Sequence, residues 1–298
     1  MSVAPYDELD SVERPAPGPL LWSALTRIVG LQRWRALRTS GAWLGWLVGG
    51  VLRIRRAQVE EAMGLAGVHG PRETAAQMYR ALGSSAVEFL WLAAHAKSAL
   101  AHARMDSTSR ERWTSARAHG RGVVIAASHT GNWDLAACAL AQEVELLVVT
   151  KRLTRPAIDL FWQTTRERMG VRLIAAAGAL AASQATLARA GAVAMMIDQA
   201  PDSRRHASRA AFLGQQAWVD RAPAALAARS RAPMVVAASR REANGEHVLE
   251  VLDVLCPPTR GLPRWIDEAT LSATRSLDAF VRRYPAQWLW LHRRWKPL

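Results

Sequence analysis

Short apolar runs alternate with Ala-rich stretches through the middle of the chain. The runs at 123–127, 146–150, 171–175, 193–197 and 234–238 are rich in Val, Ile, Leu and Met and predict strands. The stretches between them, at 135–141, 155–169, 179–190 and 222–229, carry the good helix formers Ala, Leu and Arg and predict helices. Strands separated by helices favour parallel pairing, so the pattern predicts a single α/β domain with a mainly parallel central sheet flanked by helices. Residues 248–254 predict an added edge strand. Residues 72–104 place Met78, Leu82, Val87, Leu90 and Trp91 near helical spacing and predict one or two helices, with Glu88 the only acid on their apolar part. No internal repeat is evident.

The N-terminal part follows a different pattern. Residues 1–19 are acidic and Pro-rich, with Asp7, Glu8, Asp10 and Glu13, and offer little to bury; they predict a flexible leader and not a signal peptide. Residues 20–56 are apolar and aromatic, punctuated by Arg. The charge-free run 39–52 is shorter than the roughly 20 residues a bilayer-spanning helix needs, and it contains Gly41, Gly45, Gly49 and Gly50. Two readings stay open. Flanked by Arg33, Arg35 and Arg38 before it and Arg53, Arg55 and Arg56 after it, the run suits an interfacial segment on anionic headgroups. It also suits a helix packed on the domain. The expected division is a leader at 1–19, a membrane-associated helical segment at 20–56 and an α/β domain at 57–298.

Composition narrows the partners. A chain of 298 residues, 50% hydrophobic, can bury one full core. The formal net charge of +14 points to an anionic partner: nucleic acid, acidic lipid headgroups or a phosphorylated carrier. Thirteen Trp against four Phe and three Tyr favours an interface, since indole has an apolar body and one wet edge. Cys138 and Cys256 are far apart and in no metal-ligand spacing, so neither a disulfide framework, a metal site nor a bound cofactor is expected.

Candidate chemistry lies in residues 125–137, which run from a predicted strand through the polar turn Ser-His129-Thr-Gly-Asn-Trp-Asp134 into a predicted helix. Sites in open α/β sheets form at the carboxyl ends of strands, where the next helix also points its N–H groups. An imidazole at that place can take a proton from a hydroxyl if a carboxylate fixes its tautomer and stabilises its charged form. Asp134, in the first helical turn, is within folding-back distance. The plainer alternative is that Asn132 or Asp134 caps the helix and His129 is an ordinary turn residue.

The His129-Thr-Gly-Asn-Trp-Asp134 wording resembles the His-x4-Asp motif of the lysophospholipid acyltransferase superfamily. Further similarities are Met196-Ile-Asp198-Gln199, Phe212-Leu-Gly214, Ala222-Pro-Ala-Ala-Leu-Ala and the ending from Tyr284 through Trp290, His292 and Arg294 to Lys296. Together they are similar to the branch holding the late lipid A acyltransferases and the phosphatidylinositol mannoside acyltransferases. This resemblance implies acyl transfer from a carrier-protein or coenzyme A thioester to a hydroxyl of a lipid or glycolipid, at the cytoplasmic face of a bacterial inner membrane. It implies His129 and Asp134 as catalytic residues and Asn132, Arg166, Asp198 and Gln199 around the substrate. Arg166 falls where the family carries an Arg suited to an oxyanion or a phosphate, with a solvated helix-face charge as the alternative. Asp198 either positions His129 or an acceptor hydroxyl, or ties the sheet to a loop.

Two departures bear on the acceptor. The lipid A enzymes usually have Glu where this chain has Asp134, whereas the mannoside enzymes have Asp, and an Asn-Leu pair of the family is replaced by Ala62-Met63. A lipid A-type acceptor is favoured, with a mannolipid, aminolipid or polyene as the alternative. An inactive scaffold of the same fold is a third reading, opposed by the presence of both His129 and Asp134. Nucleic-acid binding through the C-terminal Trp and Arg residues is disfavoured, because the resemblance makes that ending part of the domain.

Overall fold

The computed structural model describes residues 19–151 and 153–295. The expected leader falls outside these, apart from Pro19, as does Lys296. A seven-stranded sheet carries the fold. In chain order its strands are β1 (Ala103–Met105), β2 (Val123–Ala127), β3 (Leu146–Thr150), β4 (Val171–Ala175), β5 (Ala192–Met196), β8 (Met234–Arg241) and β9 (His247–Leu255). They lie in the order β1-β9-β8-β2-β5-β3-β4, parallel throughout except at the β8–β9 pair. Strand β9 therefore does not form the edge expected of 248–254. Strand β1 pairs outside it through Ala103↔His247 and Met105↔Leu249.

The five expected central strands form within a residue or two of their predicted bounds, except that β8 runs on to Arg241, and their side chains alternate between two cores. Val124 and Ala126 of β2 face one cluster, while Val123 and Ile125 face the other. One face is covered by α6 (Ser107–Ala118) and α7 (Trp133–Leu140), which bring in Trp113, Cys138 and Leu140. The other is covered by α9 (Ala179–Ala188), α10 (Ala222–Ser230) and α11 (Leu262–Arg283), which supply Leu187, Leu226, Leu277 and Val281. A small hairpin of β6 (Ala207–Phe212) and β7 (Gln215–Asp220) forms a separate antiparallel sheet.

Helix α1 (Pro19–Gly30) and helix α2 (Trp34–Trp46), which a π-helical turn (Leu47–Val51) extends, precede α3 (Arg56–Leu65) and the long helix α4 (Pro71–Ala94). The stretch 72–104 also supplies the short α5 (Ala96–Leu100). Gly41 and Gly45 of the charge-free run, four residues apart, form a stripe on which α2 and α4 touch backbone to backbone. A Cβ at Gly41 would sit 2.3 Å from Ser84 Cα, and one at Gly45 only 2.0 Å from Tyr79 O. Gly83 of α4 completes the contact, since a Cβ there would meet Gly41 O at 2.2 Å. The packed-helix reading of this run thus holds for one face of α2. Its opposite face leaves Trp43, Leu44, Trp46, Leu47, Val51 and Leu52 exposed. No helix among the described residues is long and apolar enough to cross a membrane.

Candidate active site

Strands β2 and β5 are neighbours in register, with Ala127 opposite Met196. His129 and Asp198 each lie two residues beyond those paired ends, so strand pairing alone brings them together. The Asp198 carboxylate takes three hydrogen bonds. The His129 backbone N–H donates to Oδ2 at 2.9 Å, the imidazole Nδ1 lies 3.0 Å from Oδ1, and Trp288 Nε1–H donates to Oδ2 at 2.9 Å. Burial by itself would raise the Asp198 pKa, but the adjacent His129 charge and these bonds outweigh it and hold the carboxyl well below the usual range. An ionised carboxylate at Nδ1 keeps the ring proton there and leaves Nε2 as an acceptor.

The turn that carries His129 is fixed on both sides. Gly131 has φ +55° and stands so close to β8 that a Cβ would lie 2.6 Å from Ser239 O, a place for glycine alone. Thr130 Oγ1 accepts from Ser239 N–H at 2.9 Å, and Ser239 Oγ donates to Thr130 O at 2.5 Å. From the other side Gly131 N–H donates to Gln287 O at 2.7 Å and Leu289 N–H to His129 O at 3.0 Å. The C-terminal segment is therefore a structural partner of the turn. Trp288, Trp290 and Arg294 are buried in it and present no stacking surface.

Asn132 caps α7, its Oδ1 accepting from Leu135 N–H at 3.1 Å, while its Nδ2 donates to Glu88 Oε2 at 2.9 Å. Glu88 is buried and also takes a bond from Arg241 Nη2 at 2.7 Å; His247 Nε2 lies 3.0 Å away but outside hydrogen-bond alignment. Sequence alone gives no sign that Glu88 supports the turn, because its partners come from β8, β9 and the α7 cap. The capping alternative is thus realised at Asn132. Expected beside substrate, Asn132 and Asp198 instead lie behind the cavity wall with their polar atoms engaged by protein.

Asp134 does not fold back onto His129. Its carboxylate accepts from Trp162 Nε1–H at 2.7 Å and from Arg166 Nε–H at 2.7 Å, with a further contact to Arg166 Nη2. Arg166, on α8 (Pro156–Arg168), also donates from Nη1 to Gln163 Oε1 at 2.9 Å. Neither a solvated charge nor a free cation, it forms a part-buried pair with Asp134 at the cavity wall. The bond expected from Asp134 to the imidazole is made by Asp198, because the first turn of α7 faces α8.

A family model of bacterial lipid A biosynthesis acyltransferases matches residues 20–297. The chain belongs to that family. No curated protein matches it. The match begins at α1, so the Trp- and Arg-rich helices lie inside the acyltransferase family's span. His129, Trp133, Asp134, Arg166, Gln199 and His292 of this lipid A-type acyltransferase all line one cavity of about 1360 Å³. The cavity reaches both faces of the sheet. Trp113, Leu140 and Val251 belong to the core on the α6–α7 face, and Leu226 and Ile266 to the opposite core. Its charged lining mixes Lys151, Arg221, Arg229 and His206 with Asp202 and Asp220; Lys151 pairs with Asp202 and Arg221 with Asp267. Cys138, on the core face of α7, is pushed up to about 12 by burial and by the Asp134 charge, so its thiol stays protonated.

Proposed function

We propose that this acyltransferase moves a fatty-acyl group directly from a thioester, carried by acyl carrier protein or coenzyme A, to a lipid or glycolipid hydroxyl. The observation that carries the reading is the His129 imidazole, tied at Nδ1 to buried Asp198 while the ring lines the cavity. Nε2 takes the acceptor's proton, the hydroxyl oxygen forms a bond to the thioester carbonyl carbon, and the tetrahedral oxyanion collapses with cleavage of the C–S bond. The proton passes from the imidazolium to the leaving thiolate. A protonated Cys138 supports a route without an acyl-enzyme. The cavity exceeds the roughly 300–1,000 Å³ of ordinary small-ligand pockets, which suits an acyl chain together with its headgroup. Arg229 and His206 in its lining suit a phosphorylated carrier arm or a phosphorylated acceptor.

Comparison of total lipids from a deletion strain complemented with wild-type or His129→Ala protein tests this reading. A species lighter by one acyl chain in the deletion and His129→Ala strains is expected, and its mass identifies a lipid A-type acceptor against a mannolipid or aminolipid. Full rescue by His129→Ala would overturn the proposal.

The exposed Trp43, Trp46, Leu47 and Leu52 face supports docking on an anionic membrane at the cytoplasmic face of the inner membrane, with Arg33, Arg35 and Arg53 exposed beside it. Of the flanking arginines, Arg38 and Arg55 are engaged by the carbonyls of Ala243 and Leu291, and Arg56 pairs with Glu60. Sedimentation with vesicles containing anionic lipid is expected to pellet the wild type and to leave the Trp43→Ser/Trp46→Ser double variant largely in the supernatant. Equal recovery of the two would exclude this face as the anchor.

A further inference from the structure

The reaction proposed above develops an oxyanion on the thioester carbonyl, and a preorganised N–H donor aimed at it contributes more than most single groups. Arg166 is not the donor nearest the base. Three of its five N–H groups go to Asp134 and Gln163, and its guanidinium makes no bond to His129. The cavity wall offers another. The Gln199 side-chain amide nitrogen lies 2.9 Å from His292 Nε2 and 3.5 Å from His129 Nε2, and the two imidazole rings are 5.3 Å apart.

The chemistry of the three groups fixes their roles. With the His129 proton on Nδ1, facing Asp198, its Nε2 is an acceptor, and the Gln199 atom facing it is the amide nitrogen. Burial, followed by the His129 charge and Arg55, holds His292 down at about 4 against the pull of Asp198. His292 is therefore neutral at ordinary pH and accepts one Gln199 N–H at Nε2. The second N–H of the same nitrogen points toward the atom of His129 that takes the proton, at a distance too long for a full bond. Where hydroxyl and thioester meet beside His129 Nε2, this N–H has an oxygen to bind.

We infer that Gln199 is a catalytic oxyanion donor and that His292 is the positioning residue that holds its amide, an assignment that rests on the proposed thioester-to-hydroxyl transfer. His292 acts as an acceptor only and takes no proton in the cycle. The shared amide also explains why two imidazoles lie within one cavity without a carboxylate between them: each turns a lone pair toward a common donor.

Steady-state transfer from the thioester the wild type uses is to be measured for Gln199→Ala, His292→Leu and His292→Gln, with thermal melts to establish that each is folded. Loss of one oxyanion donor is expected to lower kcat by about 10²-fold in Gln199→Ala, with KM for the thioester within about threefold. His292→Leu reproduces the loss, whereas His292→Gln, which keeps a side-chain acceptor for the amide, restores most of the activity. A second measurement needs no acceptor lipid. Binding of an acyl phosphonate, whose tetrahedral anion imitates the intermediate, weakens by at least tenfold in Gln199→Ala and His292→Leu while binding of the acyl thioester does not change. Wild-type turnover in His292→Leu, equal impairment of the Leu and Gln variants, or unchanged phosphonate binding would overturn the assignment. A wild-type protein that transfers no acyl group and changes no lipid in the cell would overturn the proposed function itself.

Discussion

Asp198→Asn is expected to lower turnover by about 10⁴-fold at neutral pH, the loss seen when the carboxylate behind a catalytic imidazole becomes an amide. The cause is the tautomer. An amide N–H facing Nδ1 drives the ring proton to Nε2, and an imidazole protonated at Nε2 cannot accept from a hydroxyl. The Asp198 side chain is fully enclosed, and its other oxygen holds Trp288 and the His129 backbone, so the variant retains its shape better than an alanine would. Assay of kcat by mass spectrometric detection of acylated product checks this. Activity within tenfold of wild type would show that the base does not depend on that carboxylate. Asp134→Asn is expected to act by another route, through the released Arg166, so that Asp134→Asn and Arg166→Gln together cost little more than either alone. Additive losses would show that the pair does not work as a unit.

The largest stability effect is expected at Glu88. In Glu88→Ala the buried Arg241 guanidinium loses its only carboxylate among the described residues, keeping Ala81 O and Ser85 Oγ, and the Asn132 Nδ2 loses its acceptor; breaking a buried ion pair from one side costs about 3–5 kcal/mol. For a chain of this size that corresponds to a fall in Tm of about 5–8 °C. The same site sets an acid limb. Burial would raise the Glu88 pKa, but Arg241 and the nearby His247 outweigh it and hold the carboxyl at about 2, below its ordinary value of 4.5. Its folded-state pKa is lowered, so its stabilisation is complete above about pH 4.5 and disappears as the pH falls toward 2. Melting curves of wild type and Glu88→Gln are therefore expected to converge between these values. A gap that stays constant across them would remove Glu88 from the acid response.

Much of the scaffold was legible because it depends on local pattern. The β-branched runs of β2, β3, β4 and β8 formed as strands where they stood, and the turn after β2 was recognisable from its polar residues between two apolar elements. The carboxylate partner of His129 was not legible in the same way. Asp134 is five residues away and Asp198 is sixty-nine, yet the nearer one faces α8 and the distant one is delivered by the pairing of β2 with β5. The equal offset of the two residues from their strand ends is written in the chain, but it acquires meaning only when strand order is known. Trp288 has no local mark that separates it from the other Trp residues. Helix α11 did carry a signal, with Ile266, Ala269, Ala273, Leu277 and Phe280 at helical spacing behind Gly261 and Pro263, though a low mean hydropathy blurs it. The β6–β7 hairpin interleaves Arg and Gln with its apolar positions and turns at Leu213-Gly214, both at positive φ, which gives weak strand propensity at either end.

The bracing of the His129 turn by residues 287–289 has a consequence for biogenesis. A ribosome delivers His129 and Asp198 well before it delivers Trp288, so a nascent chain contains that pair while the indole that donates to Asp198 and the backbone that clamps the turn are still missing. The turn is therefore clamped only after residues 287–289 have been made and have docked, so its ordering is a late event of synthesis.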